Sequence, residues 1–165
     1  MSSRDDRTEL MSAIAKNDFE LFTTLMSRSP NVNEADQGGR TALMYTCLHN
    51  RPPMAVTLMV KGANPHLRDM DGRTALSYSC NRRDTIILSL LLDTNADVNS
   101  QNKSGKTALM FSCLVGNSET VRTLLFRGAN IDIIENNGKT VLDFALGFSE
   151  TDIVRLLEAH QQNLD

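Results

Sequence analysis

Gly105-Lys106-Thr107-Ala108-Leu109 decides the fold of this chain, because near-copies of the stretch recur at one fixed distance. The copies begin at glycines that lie 33 residues apart: Gly39, Gly72 and Gly138 besides Gly105. One more step of 33 residues, backward from Thr41, reaches Thr8. A fixed period of this length predicts a stack of similar units that bury their apolar sides against each other. We expect one domain over residues 1–165, with units at about 5–35, 36–68, 69–101, 102–134 and 135–165.

The composition sets limits on the class of protein. Hydrophobic residues make up 41% of the 165 residues, which is enough for a core, and the net charge of -3 gives no general attraction to nucleic acid or to anionic lipid. The first seven residues contain no apolar run, so we expect no secretory signal. The longest apolar stretch, Ile86–Leu92, is too short to span a bilayer. We therefore expect a cytoplasmic protein, or one that is also nuclear, with no membrane partner.

Each unit is predicted to hold two helices joined by a short loop. In the second unit Thr41 can cap the first helix, and Pro52-Pro53 suits the first turn of the second helix, where proline loses no hydrogen bond. Asn95 stands where other units carry a glycine after the second helix, a left-handed position that asparagine tolerates. In the first unit we expect Asp5 or Asp6 to cap the first helix.

The three cysteines, Cys47, Cys80 and Cys113, occupy one position in three successive units. Stacked helices lie roughly 8–10 Å apart, whereas a disulfide needs Cα atoms within about 7 Å of each other. A shared zinc ion would need each sulfur at about 2.3 Å from the metal. We therefore predict small buried side chains with no disulfide and no metal or redox role.

Two sets of motif residues recur in phase with the period. Turn residues and a capped helix start fill 36–44, 69–77, 102–110 and 135–143, and Gly-Ala-Asn or Asn-Ala-Asp follows the second helix at 62–64, 95–97 and 128–130. Together they closely resemble the ankyrin repeat family over residues from about 5 to 161. The family's motif histidine is absent, and its place is taken by Met44, Ser77, Met110 and Asp143. The family's glycine between the two helices survives only as Gly116, with Asn17, Asn50, Arg83 and Ser149 in the other units.

The resemblance implies an all-α solenoid of helix-turn-helix pairs linked by β-hairpin-like loops. In this family the inner helices and hairpin tips form a concave face. Such proteins usually bind other proteins through that face and catalyse nothing. We expect a monomer that binds another protein, with no nucleic acid, membrane or cofactor involved.

A row of cations is the first candidate for partner binding. It consists of the residues directly before the threonines: Arg7, Arg40, Arg73, Lys106 and Lys139. We expect Arg68, Arg82 and Lys103 at neighbouring surface positions. On one hypothesis the row holds an acidic segment of the partner; on the other these side chains are simply solvated. Further candidates lie at the hairpin tips and after the inner helices: Met70, Asp71, Lys103 and Asn81, and the apolar Leu48, Leu114, Val115 and Phe148. The apolar set either forms a binding patch or packs under neighbouring loops.

An aromatic residue recurs four positions after each threonine: Tyr45, Tyr78, Phe111 and Phe144. We predict that these rings belong to the core and do not stack on a ligand. The segment from Leu91 to Asn99 is similar to a motif whose asparagine is β-hydroxylated in many ankyrin proteins. Asn99 is therefore a candidate modification site; the alternative is an unmodified asparagine, which is common in such hairpins.

No catalytic, metal-binding or phosphate-binding constellation is evident, and we predict no catalytic residue, no metal and no cofactor. The leading hypothesis is a stand-alone adaptor or inhibitor that binds a partner protein. Two narrower alternatives are a cyclin-dependent kinase inhibitor of the ankyrin type and an ankyrin-type inhibitor of a transcription factor.

Overall fold

The computed structural model describes residues 8–80, 85–147 and 151–162. Within these ranges the chain forms ten helices. They are α1 Glu9–Lys16, α2 Phe19–Ser27, α3 Ala42–His49, α4 Pro52–Val60, α5 Ala75–Ser79, α6 Ile86–Leu92, α7 Ala108–Leu114, α8 Ser118–Phe126, α9 Val141–Gly147 and α10 Thr151–Gln162. The same residues contain no strand beyond an isolated antiparallel bridge between Ala35 and Thr41. The predicted all-α fold is confirmed.

The helices stack as two rows. In the first row α1 packs on α3, α3 on α5, α5 on α7 and α7 on α9. In the second row α4 packs on α6 and α8 on α10, and the two helices of each pair also contact each other. One continuous core runs between the rows, and Leu43, Leu76 and Leu109 occupy the same buried position in three successive units.

The first helices begin at the threonines of the repeated stretch. The Thr8, Thr41 and Thr107 side chains each accept a hydrogen bond from the amide three residues further on. Because the backbone of Thr8 is extended, with φ -63° and ψ 159°, its hydroxyl can reach the first turn of α1. The prediction that Asp5 or Asp6 caps this helix is therefore wrong.

Asparagine replaces glycine where the backbone is left-handed. Asn17 and Asn50 end α1 and α3 with φ values of 58° and 52°, and Asn95 has φ 59° after α6, as predicted. Of the other residues at the inter-helix position, Arg83 and Ser149 lie outside the described residues. Pro52-Pro53 occupies the first turn of α4, also as predicted.

The three cysteines are buried free thiols, which confirms that they fill the core. Within the described part of the chain, no helix is both long enough and apolar enough to cross a membrane.

Candidate interaction surface

Four turns carry the predicted cations, and each turn is held by the side chain of its first residue. Oδ1 of Asp36 accepts hydrogen bonds from the amides of Gly38 and Arg40 at 2.9 and 2.8 Å. The same pair of amide bonds recurs at the three later turns, where the accepting residues are Asp69, Asn102 and Glu135. This shared geometry makes every cation leave its turn at the same point.

Successive turns are bonded directly to each other. The amides of Met70, Lys103 and Asn136 donate to the carbonyls of Gly38, Asp71 and Ser104, at 2.8, 2.9 and 3.1 Å. The turns therefore form one ladder, and the four cations stand along it in chain order. We call the surface formed by residues 36–40, 69–73, 102–106 and 135–139 and the adjoining first helices the turn face.

The cations of the turn face pack over aromatic rings. The guanidinium of Arg40 lies 5.5 Å from the ring centre of Tyr45, and that of Arg73 lies 5.4 Å from Phe111 in the next unit. Nζ of Lys106 lies 5.7 Å from the ring centre of Phe144, again in the next unit. Such contacts hold a cation in place and leave its other side accessible to solvent.

The rings themselves are largely covered, as the sequence predicts for a core position. Tyr45, Tyr78 and Phe144 are buried, and Phe111 is half-buried. Each tyrosine hydroxyl donates a hydrogen bond to the first residue of its own turn. Tyr45 donates to Oδ2 of Asp36 at 2.9 Å, and Tyr78 donates to Oδ2 of Asp69 at 2.6 Å. The two tyrosines thus tie α3 and α5 to their own turns.

Arg40 and Arg73 differ in the hydrogen bonds and ion pairs that their guanidinium groups form. Nε of Arg40 donates to Oδ2 of Asp36 at 3.0 Å, and that carboxylate is only 3% exposed. Nε of Arg73 is buried and finds no hydrogen-bond partner among the described residues. Among the described residues, the carboxylate within 4.0 Å of its guanidinium is that of Asp71, with Nη2 of Arg73 at 4.0 Å from Oδ2 of Asp71, whose side chain is 70% exposed. The guanidinium of Arg40 is therefore paired with a buried carboxylate of its own turn. Arg73 has no such partner for its Nε among the described residues.

The carboxylate of Asp36 stays ionised in this setting. Burial raises its pKa, but the hydrogen bonds from the Arg40 amide and the Tyr45 hydroxyl, together with the Arg40 charge, outweigh burial and bring the pKa below its ordinary value of 3.8. Burial, aided by the hydrogen bond to Asp69, raises the pKa of Tyr78 well above its ordinary value. Tyr78 therefore acts as a hydroxyl donor across the physiological range.

The comparison with known families agrees with this geometry. The family model described as ankyrin repeats (3 copies) matches residues 10–102, 48–135 and 84–165. The chain belongs to the ankyrin repeat family. Ankyrin repeats are generally protein–protein interaction modules and are typically not enzymes. A comparison with curated proteins gave no match.

The remaining predicted contact residues fall into three groups on this ankyrin surface. Met70, Asp71 and Lys103 are exposed on the turns, Met70 at 65%. Leu48 and Leu114 are half-buried against the core, and Val115 is exposed. Asn81 and Phe148, and the predicted cations Arg7 and Arg82, lie outside the described residues. Of the apolar set, Val115 is thus the described residue whose side chain is most open to a partner, and the binding role of the whole set stays a prediction.

Some surface features of the ankyrin units do not follow from the sequence pattern alone. Arg68 is exposed, and its guanidinium donates to the Gly72 and Gln101 carbonyls and to the Ser100 hydroxyl. It therefore joins two units and does not extend the row of cations on the turn face.

Val60 and Phe126, 66 residues apart at the ends of α4 and α8, are highly exposed. Each lies two residues before a glycine with a left-handed backbone, Gly62 or Gly128, and this is the one feature of the sequence that indicates their exposed position.

Asn99, the predicted modification site, clamps two ankyrin units together. Its Oδ1 accepts from the Asn130 amide at 2.8 Å, and its Nδ2 donates to the Gly128 carbonyl at 3.4 Å. Asn33 makes the same pair of bonds to Asn64 and Gly62. The clamp accounts for asparagine at this position, and hydroxylation of Asn99 stays a prediction.

The buried thiols are poor nucleophiles. Burial raises the pKa of Cys47 to about 12 and raises that of Cys80 as well. Across the described ranges, no group of three His, Cys, Asp or Glu side chains could hold a metal ion.

A cavity of about 490 Å³ lies at the end of the stack beside α9 and α10. It is lined by Val141, Leu142, Leu157, Glu158 and neighbouring residues, away from the cations of the first three turns.

Proposed function

We propose that this ankyrin repeat protein binds a partner protein through the turn face and that the row of cations holds an acidic segment of that partner. The single observation that carries the proposal is the ladder of bonded turns, which lines up Arg73, Lys106 and Lys139 on one surface of a chain whose net charge is -3. Of the carboxylates in the four turns, those of Asp36, Asp69 and Glu135 are buried, so the charges that a partner meets there are mainly the cations and the exposed Asp71. An excess of accessible positive charge attracts an acidic segment to that surface.

A partner held along this row contacts several units at once. Each of the three rings under Arg40, Arg73 and Lys106 fixes the position of its cation, so little side-chain freedom is lost when a carboxylate binds. A protein that covers a segment of its partner in this way acts as an inhibitor, and one that links the partner to another protein acts as an adaptor. We therefore propose one of these two roles.

Quantitative affinity capture with matched charge reversals tests this proposal. Arg73→Glu with Lys106→Glu changes two cations of the turn face, and Arg122→Glu with Arg155→Glu makes the same change of net charge on the second helices α8 and α10, where both arginines are exposed. We expect the first variant to lose partners that the parent protein and the second variant retain. Equal capture by both variants would overturn the proposal.

We also place this interaction in the cytoplasm or nucleus, a proposal supported by the three free thiols, which are typical of a reducing compartment. Fractionation of cells that express the chain at its native level tests the location. Recovery from the secreted fraction would contradict it.

A further inference from the structure

We propose that the acidic segment bound by the turn face is in the polyproline-II conformation, with a carboxylate at every third residue, and that Arg73 and Lys106 are its two main anchors. This inference rests on the function proposed above and adds the shape and spacing of the ligand. It follows from three properties: which cations lack an ion-pair partner within the chain, which rings they pack against, and how far apart the units lie.

Arg73 is the cation with the most to gain from an external carboxylate. Oδ2 of Asp36 accepts from both Tyr45 and Arg40, whereas Oδ2 of Asp69 accepts from Tyr78 at 2.6 Å and not from the Arg73 side chain. Nε of Arg73 is left without a partner among the described residues, while the side chain as a whole is 36% exposed. Because Nε is buried, the exposed part of the side chain is elsewhere, and a carboxylate that approaches the edge formed by Nη1 and Nη2 can pair with two donors.

Lys106 is the second anchor, because it forms no ion pair within the described residues and is held over the ring of Phe144. Lys103 is exposed on the same turn and adds to the positive potential between the two anchors. Lys139 is weaker because Asp143 lies close to it. Hydrogen bonds from the Thr140 amide and hydroxyl lower the pKa of Asp143, and the Lys139 charge lowers it further, so the carboxylate stays ionised.

The spacing of the units selects the conformation of the ligand. Packed helices lie roughly 8–10 Å apart. We expect the same spacing between equivalent cations, because each stands two residues before the start of a stacked first helix. A polyproline-II segment has three residues per turn with a rise of about 3.1 Å each, so every third side chain lies on one side at about 9 Å. A β-strand presents side chains on one side every second residue, at about 7 Å, and falls out of register after one unit.

The probe is a synthetic peptide of repeated Asp-Pro-Pro triplets, which favours this conformation and carries a carboxylate at every third residue. A peptide of the same composition with its aspartates gathered at one end is the matched control. Fluorescence anisotropy of the labelled peptides with the full chain gives both dissociation constants. Because two positioned ion pairs replace one, we expect the triplet peptide to bind about tenfold more tightly than the control.

Three variants test the assignment of Arg73 as an anchor. Arg73→Ala is expected to weaken binding of the triplet peptide by about tenfold, the size of a lost hydrogen-bonded charge pair. Asp71→Asn removes the competing carboxylate at 4.0 Å and is expected to tighten binding, a result that a misfolded variant does not give. Arg122→Ala, on the exposed side of α8, is the control and is expected to leave binding unchanged.

The possible failures are distinct. Equal binding of the two peptides, with a loss on Arg73→Ala, would overturn the three-residue spacing and leave the proposed binding of acidic segments in place. Tight binding of the triplet peptide that is unaffected by Arg73→Ala and Asp71→Asn would overturn the assignment of the anchor. No binding of either peptide would overturn this inference, while the capture experiment with charge reversals separately decides the proposed function.

Discussion

The hydroxyl of Tyr78 donates to Oδ2 of Asp69 at 2.6 Å, and the pair at Tyr45 and Asp36 is arranged in the same way. In the next unit the ring is Phe111, which has no hydroxyl, and the acceptor in the turn is Asn102. In the last unit the ring is Phe144, and Oε2 of Glu135 accepts from the Asn137 side-chain amide at 3.0 Å. A carboxylate thus occurs in a turn only where its second oxygen has a donor.

This relationship predicts a coupled exchange in the fourth unit. Asn102→Asp alone should destabilise the protein by about 1 kcal/mol, because the new carboxylate lacks a donor for its second oxygen. Adding Phe111→Tyr supplies that donor and should recover most of the loss. A double-mutant cycle from urea unfolding should therefore give a favourable coupling of about 1 kcal/mol. Additive effects of the two substitutions would contradict the rule.

Asp36 predicts a dependence of stability on pH. Its pKa is lowered in the folded protein, so its contribution is fully present above its ordinary value of 3.8 and is lost as the pH falls below that value through the folded pKa. Asp36→Asn should lower the free energy of unfolding by about 1–2 kcal/mol at pH 7, since Arg40 and Tyr45 lose a charged acceptor. Urea unfolding at several acidic pH values should show this gap closing below pH 3.8. A constant gap across that range would contradict the assignment.

The turn ladder predicts unequal costs for the same substitution at two glycines. Gly105 and Gly138 have φ values of 80° and 81°, so alanine pays a similar left-handed cost of about 1–2 kcal/mol at both. A Cβ at Gly105 would also lie 2.9 Å from the amide nitrogen of Asn136, whereas nothing lies within 4 Å of one at Gly138. Gly105→Ala should therefore cost about 1–3 kcal/mol more than Gly138→Ala in urea unfolding. Equal costs would mean that the turns are not packed as described.

The period of the sequence was sufficient to predict the helix pairs, the buried cysteines and the common position of the four cations. These features depend on backbone register, which the repeated residues specify at each step. The first cap was assigned wrongly because acidic residues near a helix start are plausible caps, and only the register with Thr41 distinguishes Thr8 from Asp5 and Asp6.

The difference between Arg40 and Arg73 could not be predicted, because both residues have an aspartate four positions before them and a tyrosine five positions after them. It arises from side-chain conformations: Oδ2 of Asp36 accepts from both Arg40 and Tyr45, while Oδ2 of Asp69 accepts from Tyr78. The half-burial of Leu48 likewise depends on packing against neighbouring units, which residue type alone does not fix.

Thr120 predicts a substitution that stabilises the protein. Its side chain is fully buried at a position where three other units carry Met54, Ile87 and Ile153, and its hydroxyl has no hydrogen-bond partner among the described residues. Thr120→Val replaces the hydroxyl with a methyl group of similar size, so the cost of the unpaired buried hydroxyl disappears and the free energy of unfolding should rise by about 1 kcal/mol.

Thr46 is the matched control for this change, because it is equally buried but its hydroxyl donates to the Leu43 carbonyl at 2.6 Å. Thr46→Val should therefore lower the free energy of unfolding by about 1 kcal/mol, opposite in sign to Thr120→Val. Urea unfolding of the parent and the two variants measures both values under one condition. A loss of stability in Thr120→Val as large as that in Thr46→Val would show that the Thr120 hydroxyl has a partner in solution.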